Sequence, residues 1–152
     1  MRAAANFGAE SVRLVADSSA WSSEEERQAR IASAGAWDLF GGIGLHPDLS
    51  DAARGCSVLA GTSARPRRGA GPPVTPAEFF AGRSAQAGLV GLVFGPESQG
   101  LSAAELSRCH VWLRIPTAPE FSSLNLAQAV LLILAEAFRC WGPAPASPPP
   151  SP

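Results

Sequence analysis

Residues 89–101 read Leu89-Val90-Gly91-Leu92-Val93-Phe94-Gly95-Pro96-Glu97-Ser98-Gln99-Gly100-Leu101. The first six are apolar with almost no alternation, the mark of a parallel strand buried on both faces. The next seven form a tight, polar, glycine-bearing loop placed directly at the strand end. Ser102 and Glu105 follow with the three-residue spacing of a capping box, so a helix begins there. Strand, loop and helix in that order announce an α/β domain.

The same grammar repeats in both directions. Upstream, Cys56–Ala60 is a buried strand ending in Gly61-Thr62-Ser63-Ala64-Arg65. Thr75-Pro76-Ala77-Glu78 then opens a helix, with Thr as cap, Pro in the first turn and Glu closing the box. Ser11–Ala16 is a further strand, and Ser22 and Ser23 before Glu24, Glu25 and Glu26 start a helix reaching about Gly35. Trp37–Phe40 is a short strand candidate, Gly41–Gly44 a loop and Asp48–Arg54 a short helix. Arg2–Phe7 reads as the tail of a helix stopped by Gly8. Downstream, Val111–Ile115 is a strand, and Ser123–Cys140 is a long helix apolar nearly all round, hence buried or at an interface. The Pro-rich stretch after it cannot pack a core. Strands alternating with helices predict a parallel sheet.

Composition narrows the function classes. The chain has 152 residues, enough for one domain, and a formal net charge of −1, so no global field draws it to nucleic acid or membrane. Its cationic side chains are all Arg. The densest cluster is Arg65, Arg67 and Arg68, in a Pro/Gly-rich loop suited to phosphate contacts. Cys56, Cys109 and Cys140 lack metal-ligand spacing, and no metal is expected. His46 and His110 have no ligand partners nearby in sequence. No signal peptide is visible, and the longest apolar stretch, Ala129–Ala135, is far short of the ~20 residues a membrane span needs. The expectation is a cytoplasmic protein without a membrane partner.

Three loops at strand ends, 61–65, 94–101 and 115–125, would lie on one edge of a parallel sheet, where ligands bind. The run FGPESQGL through IPT to FSSLNLAQAV resembles the second and third motifs of the SpoU/TrmH class of SPOUT RNA methyltransferases. Gly61-Thr62-Ser63-Ala64-Arg65 resembles the preceding segment, particularly in the TrmJ-like branch. Arg2–Gly8 resembles the end of the first motif. The likeness spans about residues 2–140.

That resemblance implies a parallel sheet with a deep C-terminal trefoil knot over residues 1–141; the Pro-rich composition of 142–152 implies an unstructured tail. It implies S-adenosyl-L-methionine as cofactor, held by Thr62, Ser63, Ala64, Gly95, Ile115, Ser122, Ser123 and Leu124. Arg2, Asn125 and Ser123 become the catalytic candidates, and Arg65, Arg67 and Arg68 the RNA contacts. The implied reaction is 2'-O-methylation of ribose in RNA, tRNA first and rRNA second, by a homodimer in which the arginine reaches the other subunit's pocket. The family's first strand would precede Met1, so the sequence reads as lacking the N-terminal edge. A non-catalytic domain that binds RNA or S-adenosylmethionine is the alternative.

Overall fold

The computed structural model describes residues 1–17, 19, 21–64 and 71–143. In chain order the elements are α1 (Arg2–Asn6), β1 (Arg13–Val15), α2 (Ser23–Ala32), α3 (Ala36–Leu39), β2 (Gly44–His46), α4 (Leu49–Ala52), β3 (Val58–Thr62), α5 (Pro76–Ala81), β4 (Val90–Val93), α6 (Ala103–Ser107), β5 (Val111–Leu113) and α7 (Leu126–Trp141).

Every strand pairing among the described residues is parallel. One sheet has the order β4-β3-β5, with Gly61 opposite both Val93 and Trp112. The other is the pair β1-β2. Helices cover both faces of the larger sheet. Ala60, Phe79, Phe80, Leu113 and Ile133 form the core on the α5/α7 side. Leu101, Leu106 and Trp112 form a second cluster on the α6 side. Gly61 lets the two layers close: a Cβ there would meet Leu106 Cδ1 at 2.7 Å and Cys109 Sγ at 2.8 Å. Burial and the nearby Glu105 push the Cys109 thiol pKa up.

Helix starts follow local chemistry. Ser22 with Glu25, Thr75 with Glu78, and Ser102 with Glu105 each close a reciprocal capping box. The Ser22 and Thr75 N–H groups hold the Glu25 and Glu78 carboxyls below the ordinary value of 4.5, and the Ser102 hydroxyl and N–H do the same for Glu105. A depressed carboxyl contributes stability above its unfolded pKa and loses it as pH falls through the folded one. The thermal midpoint is therefore expected to drop progressively below about pH 4.5. A Glu78→Gln chain should show a shallower drop, with an unchanged slope counting against the link.

The structure corrects three expectations. Trp37–Phe40 is not a strand: Ala36–Leu39 is a helical turn, entered through Ala34 and Gly35 at φ 48° and 87°. Its short apolar run buries Trp37 rather than pairing with a sheet. Pairing falls to Gly44–His46 instead, held in register with β1. Arg13 Nη1 secures that unit by donating to Ala52 O at 2.6 Å and Arg54 O at 2.8 Å, carbonyls at and just beyond the end of α4.

Second, Val90–Val93 are only half-buried, because β4 pairs with β3 alone and lies at the edge of its sheet among the described residues. Third, the long helix begins at Leu126, not Ser123. Asn125 caps it, accepting from Gln128 N at 2.8 Å while Gln128 Oε1 accepts from Asn125 N at 3.2 Å.

The two histidines are structural. His46 Nδ1 bonds Asp51 Oδ2 at 2.8 Å, which lowers the Asp51 carboxyl pKa. His110 Nδ1 accepts from Leu59 N–H at 3.0 Å, completing the start of β3.

Candidate active site

Because β3, β4 and β5 run parallel, their following loops share one edge, and specific bonds tie these loops together. Thr62 Oγ1 donates to Val93 O at 3.1 Å, joining the ends of β3 and β4. Ser63 N–H donates to Leu113 O at 3.1 Å, joining β3 to β5. Glu97 Oε1 accepts from Leu126 N–H at 3.4 Å, tying the 94–101 loop to the first turn of α7. A carboxylate at that end of the helix also complements its dipole. Glu97 thus anchors the 94–101 loop to the start of α7.

The expected cofactor residues lie on this edge. Thr62, Ser63, Gly95, Ile115, Ser122 and Leu124 are half-buried, while Ala64 and Ser123 are exposed. Ile115 and Phe94 pack against the α5/α7 core. Among the described residues, the main-chain groups of Gly95, Ile115, Ser122, Ser123 and Leu124 make no backbone hydrogen bonds. Half-buried donors and acceptors left open beside apolar Ile115 and Leu124 suit a ligand with a flat, hydrogen-bonding aromatic edge. That donor set fits an adenine-bearing cofactor.

Gly95 is required by the loop's own closure. A Cβ there would sit well inside van der Waals contact with the main-chain carbon of Gly100 and nitrogen of Leu101. The glycine therefore lets the loop close on itself, and buried Leu101 then anchors it in the α6-side cluster.

Of the catalytic candidates, Asn125 has its carbonyl oxygen committed to Gln128 N–H, leaving its amide N–H groups to donate outward. Ser123 lies two residues before this cap in the same segment. Arg2 is exposed on α1 and makes no side-chain bond to either residue within the chain. Helix α1 instead packs against α7 near its far end, with Phe7 and Phe138 ring centroids 5.8 Å apart. In a single chain α1 thus meets α7 toward its C-terminal end, whereas Asn125 caps the N-terminal end.

Arg65, Arg67 and Arg68 lie outside the described residues. Their flanks are fixed. Beyond the Ser63 bond, Trp112 Nε1 donates to Gly71 O at 2.6 Å, and Val74 N–H donates to Trp112 O at 3.1 Å. Trp112 was missed as a positioning residue. A lone Trp in an otherwise aliphatic strand was the available signal, because a buried indole N–H seeks an acceptor.

A second concavity of about 330 Å³ lies at the N-terminal ends of β1 and β2, with Ser11, Arg13, Gly42 and His46 in its wall. Among the described residues no His/Cys/Asp/Glu group is placed to hold a metal ion, and no helix is long and apolar enough to cross a membrane.

The chain resembles known proteins over most of its length. It is 43% identical over 113 residues to the tRNA (cytidine/uridine-2'-O-)-methyltransferase TrmJ of Yersinia enterocolitica, covering 73% of this chain and 44% of that protein. It superposes on the crystal structure of TrmJ from Z. mobilis ZM4 with a TM-score of 0.79 at 34% identity, covering 99% of this chain and 64% of that one. An AdoMet-bound rRNA methyltransferase from Sinorhizobium meliloti matches with a TM-score of 0.61 at 28% identity, covering 91% of this chain and 49% of that one. The chain spans about half the length of the curated relatives it matches. The family model described as "SpoU rRNA Methylase family" matches residues 1–135. With the three strand-end loops on one sheet edge, this places the chain in the SpoU rRNA methylase family.

Proposed function

We propose that this chain is an S-adenosylmethionine-dependent methyltransferase module that modifies the ribose 2'-hydroxyl of RNA, tRNA first and rRNA second. The observation that carries the reading is the sheet edge itself. Three strand-end loops, two of them with open main-chain groups, meet where the family motifs fall, in a chain 43% identical to a named tRNA 2'-O-methyltransferase.

In this reading Thr62, Ser63, Ala64, Gly95, Ile115, Ser122, Ser123 and Leu124 hold the cofactor, which supplies an electrophilic methyl group on a sulfonium. The protein contributes alignment and electrostatics. The Asn125 amide donates toward the substrate. A guanidinium carries five donors and no acceptor, so Arg2 orients a phosphate or stabilises the developing alkoxide rather than acting as a base. Arg65, Arg67 and Arg68 grip the RNA backbone.

The active unit in this reading is a homodimer. Leu126, Leu131, Leu132 and Phe138 of α7 remain 37–47% exposed, an apolar surface that a second copy would cover. A cross-subunit site also explains why Arg2 has no partner beside Asn125 in one chain. The C-terminal segment is threaded as a deep trefoil knot in a domain over residues 1–141, the tail expected after it lying almost wholly outside the described residues, and the protein acts in the cytoplasm.

The test is transfer of labelled methyl from S-adenosylmethionine to unmodified tRNA, followed by digestion to nucleosides. The expected product is a labelled 2'-O-methyl nucleoside, formed about a hundredfold more slowly by Arg2→Ala. Label on a base would contradict ribose chemistry. No label from folded protein on either tRNA or rRNA would favour the non-catalytic binder.

A further inference from the structure

The proposed chemistry engages one side of the segment after β5. Ile115 faces the core, but its neighbour Arg114 faces the other way, into an open cleft of about 270 Å³ walled by Pro73, Val74, Thr75, Pro116 and Thr117. We infer that Arg114 and this cleft form a binding subsite for one backbone phosphate of the RNA substrate.

The backbone holding Arg114 is firmly set. Its N–H donates to Val74 O at 3.0 Å, Val74 bridges Leu113 in parallel, and Trp112 Nε1 clamps Gly71. The side chain, by contrast, is uncommitted. The guanidinium is exposed and bonds no carboxylate or carbonyl among the described residues, whereas Arg27, Arg30, Arg54 and Arg139 are all in ion pairs. A free planar fork on a rigid mount is suited to bidentate contact with phosphate oxygens.

The cleft has the size and chemistry for this ligand. It is smaller than the roughly 300–1,000 Å³ typical of pockets that enclose a whole drug-sized ligand, so it suits a single phosphate group better. The Thr117 hydroxyl has no partner among the described residues and can donate. The Glu78 carboxylate behind Thr75 is already held by the Thr75 N–H and hydroxyl at 2.9 and 2.7 Å. The cleft also adjoins the edge assigned above to methyl transfer, so a phosphate seated here would register the strand beside Ile115. This subsite rests on the RNA reading given above.

Affinity of the full chain for an unmodified tRNA transcript, followed by fluorescence anisotropy across about 50–200 mM salt, tests it. Arg114→Gln should bind about tenfold more weakly at the low-salt end. Its plot of log affinity against log salt should be shallower by about one. Arg114→Lys should keep the parent's slope while recovering only part of the affinity. Arg27→Gln, which removes an equal charge from α2, should match the parent in both. An Arg114→Gln chain with the parent's slope and affinity would overturn the subsite while leaving the RNA reading intact. So would Arg27→Gln losing as much as Arg114→Gln, since the effect would then be net charge alone. A parent chain with no salt-dependent tRNA binding would overturn the RNA reading and the subsite with it.

Discussion

A Gly95→Ala chain is expected to lose S-adenosylmethionine binding and to melt on the order of 10 °C below the parent. The added methyl meets main-chain atoms of Gly100 and Leu101, not a side chain that can rotate away. The 94–101 loop must open to admit it. Opening the loop pulls Leu101, 3% exposed, out of its cluster with Leu106 and Trp112. It also shifts Glu97 from the Leu126 N–H, so the start of α7 loses an acceptor at its positive end. Overpacking of this kind costs about 1–3 kcal/mol, and a domain this size shifts roughly 4 °C per kcal/mol. Calorimetric titration of the cofactor and a thermal scan check both effects. A chain that binds as well as the parent would mean that the loop has room the structure denies it.

Phe80→Ala is expected to cost about 3–5 kcal/mol, the range for deleting a fully buried aromatic ring. Phe80 is 1% exposed and meets Phe79 and Trp141 edge-on, at centroid separations of 5.1 and 4.9 Å. Trp141 Nε1 in turn donates to Phe80 O at 3.1 Å and Arg83 O at 3.0 Å. The ring is therefore the fastening between α5 and the C-terminal end of α7. Since domains are stable by about 5–15 kcal/mol, the loss consumes a large share of the total. Chemical denaturation should show a lower midpoint. A cost under about 1 kcal/mol would mean that the α5/α7 contact is not what holds the helix down. Because α7 begins at the proposed cofactor edge, the variant should also bind cofactor more weakly.

What the sequence made legible was local. Ser22, Thr75 and Ser102 each advertise a helix start through a glutamate three residues on, and all three boxes form as read. The strand at 89–94 and its loop were legible because an unbroken apolar run before Gly-Pro-Glu has few other solutions. Elements decided by partners far along the chain were not. Gly44-Leu45-His46 has one apolar residue and becomes a strand because β1 offers it a ladder. Trp37–Phe40 could serve either period, and it is the left-handed turn before it that favours the helix.

The same division runs through the site. The positions of Thr62, Gly95, Ile115 and Ser122–Asn125 at strand ends followed from the loop grammar. Their roles needed the geometry. Gly95 serves loop closure, Asn125 is half spent on its own helix, and Trp112 fixes the far flank of the arginine run. Asn125 with Gln128 was a readable capping pair.

The proposed S-adenosylmethionine site is the C-terminal edge of β3, β4 and β5. Amide hydrogen exchange on the chain with and without saturating cofactor tests it most directly. The main-chain N–H groups of Gly95, Ile115, Ser122, Ser123 and Leu124 have no backbone partner among the described residues and should exchange quickly when free. Their slowing on cofactor addition, with little change around Ser11–Arg13 and Gly42–His46, is the expected result. Protection confined to the β1/β2 concavity, or cofactor binding that leaves the amides at 95, 115 and 122–124 as fast as before, would contradict it.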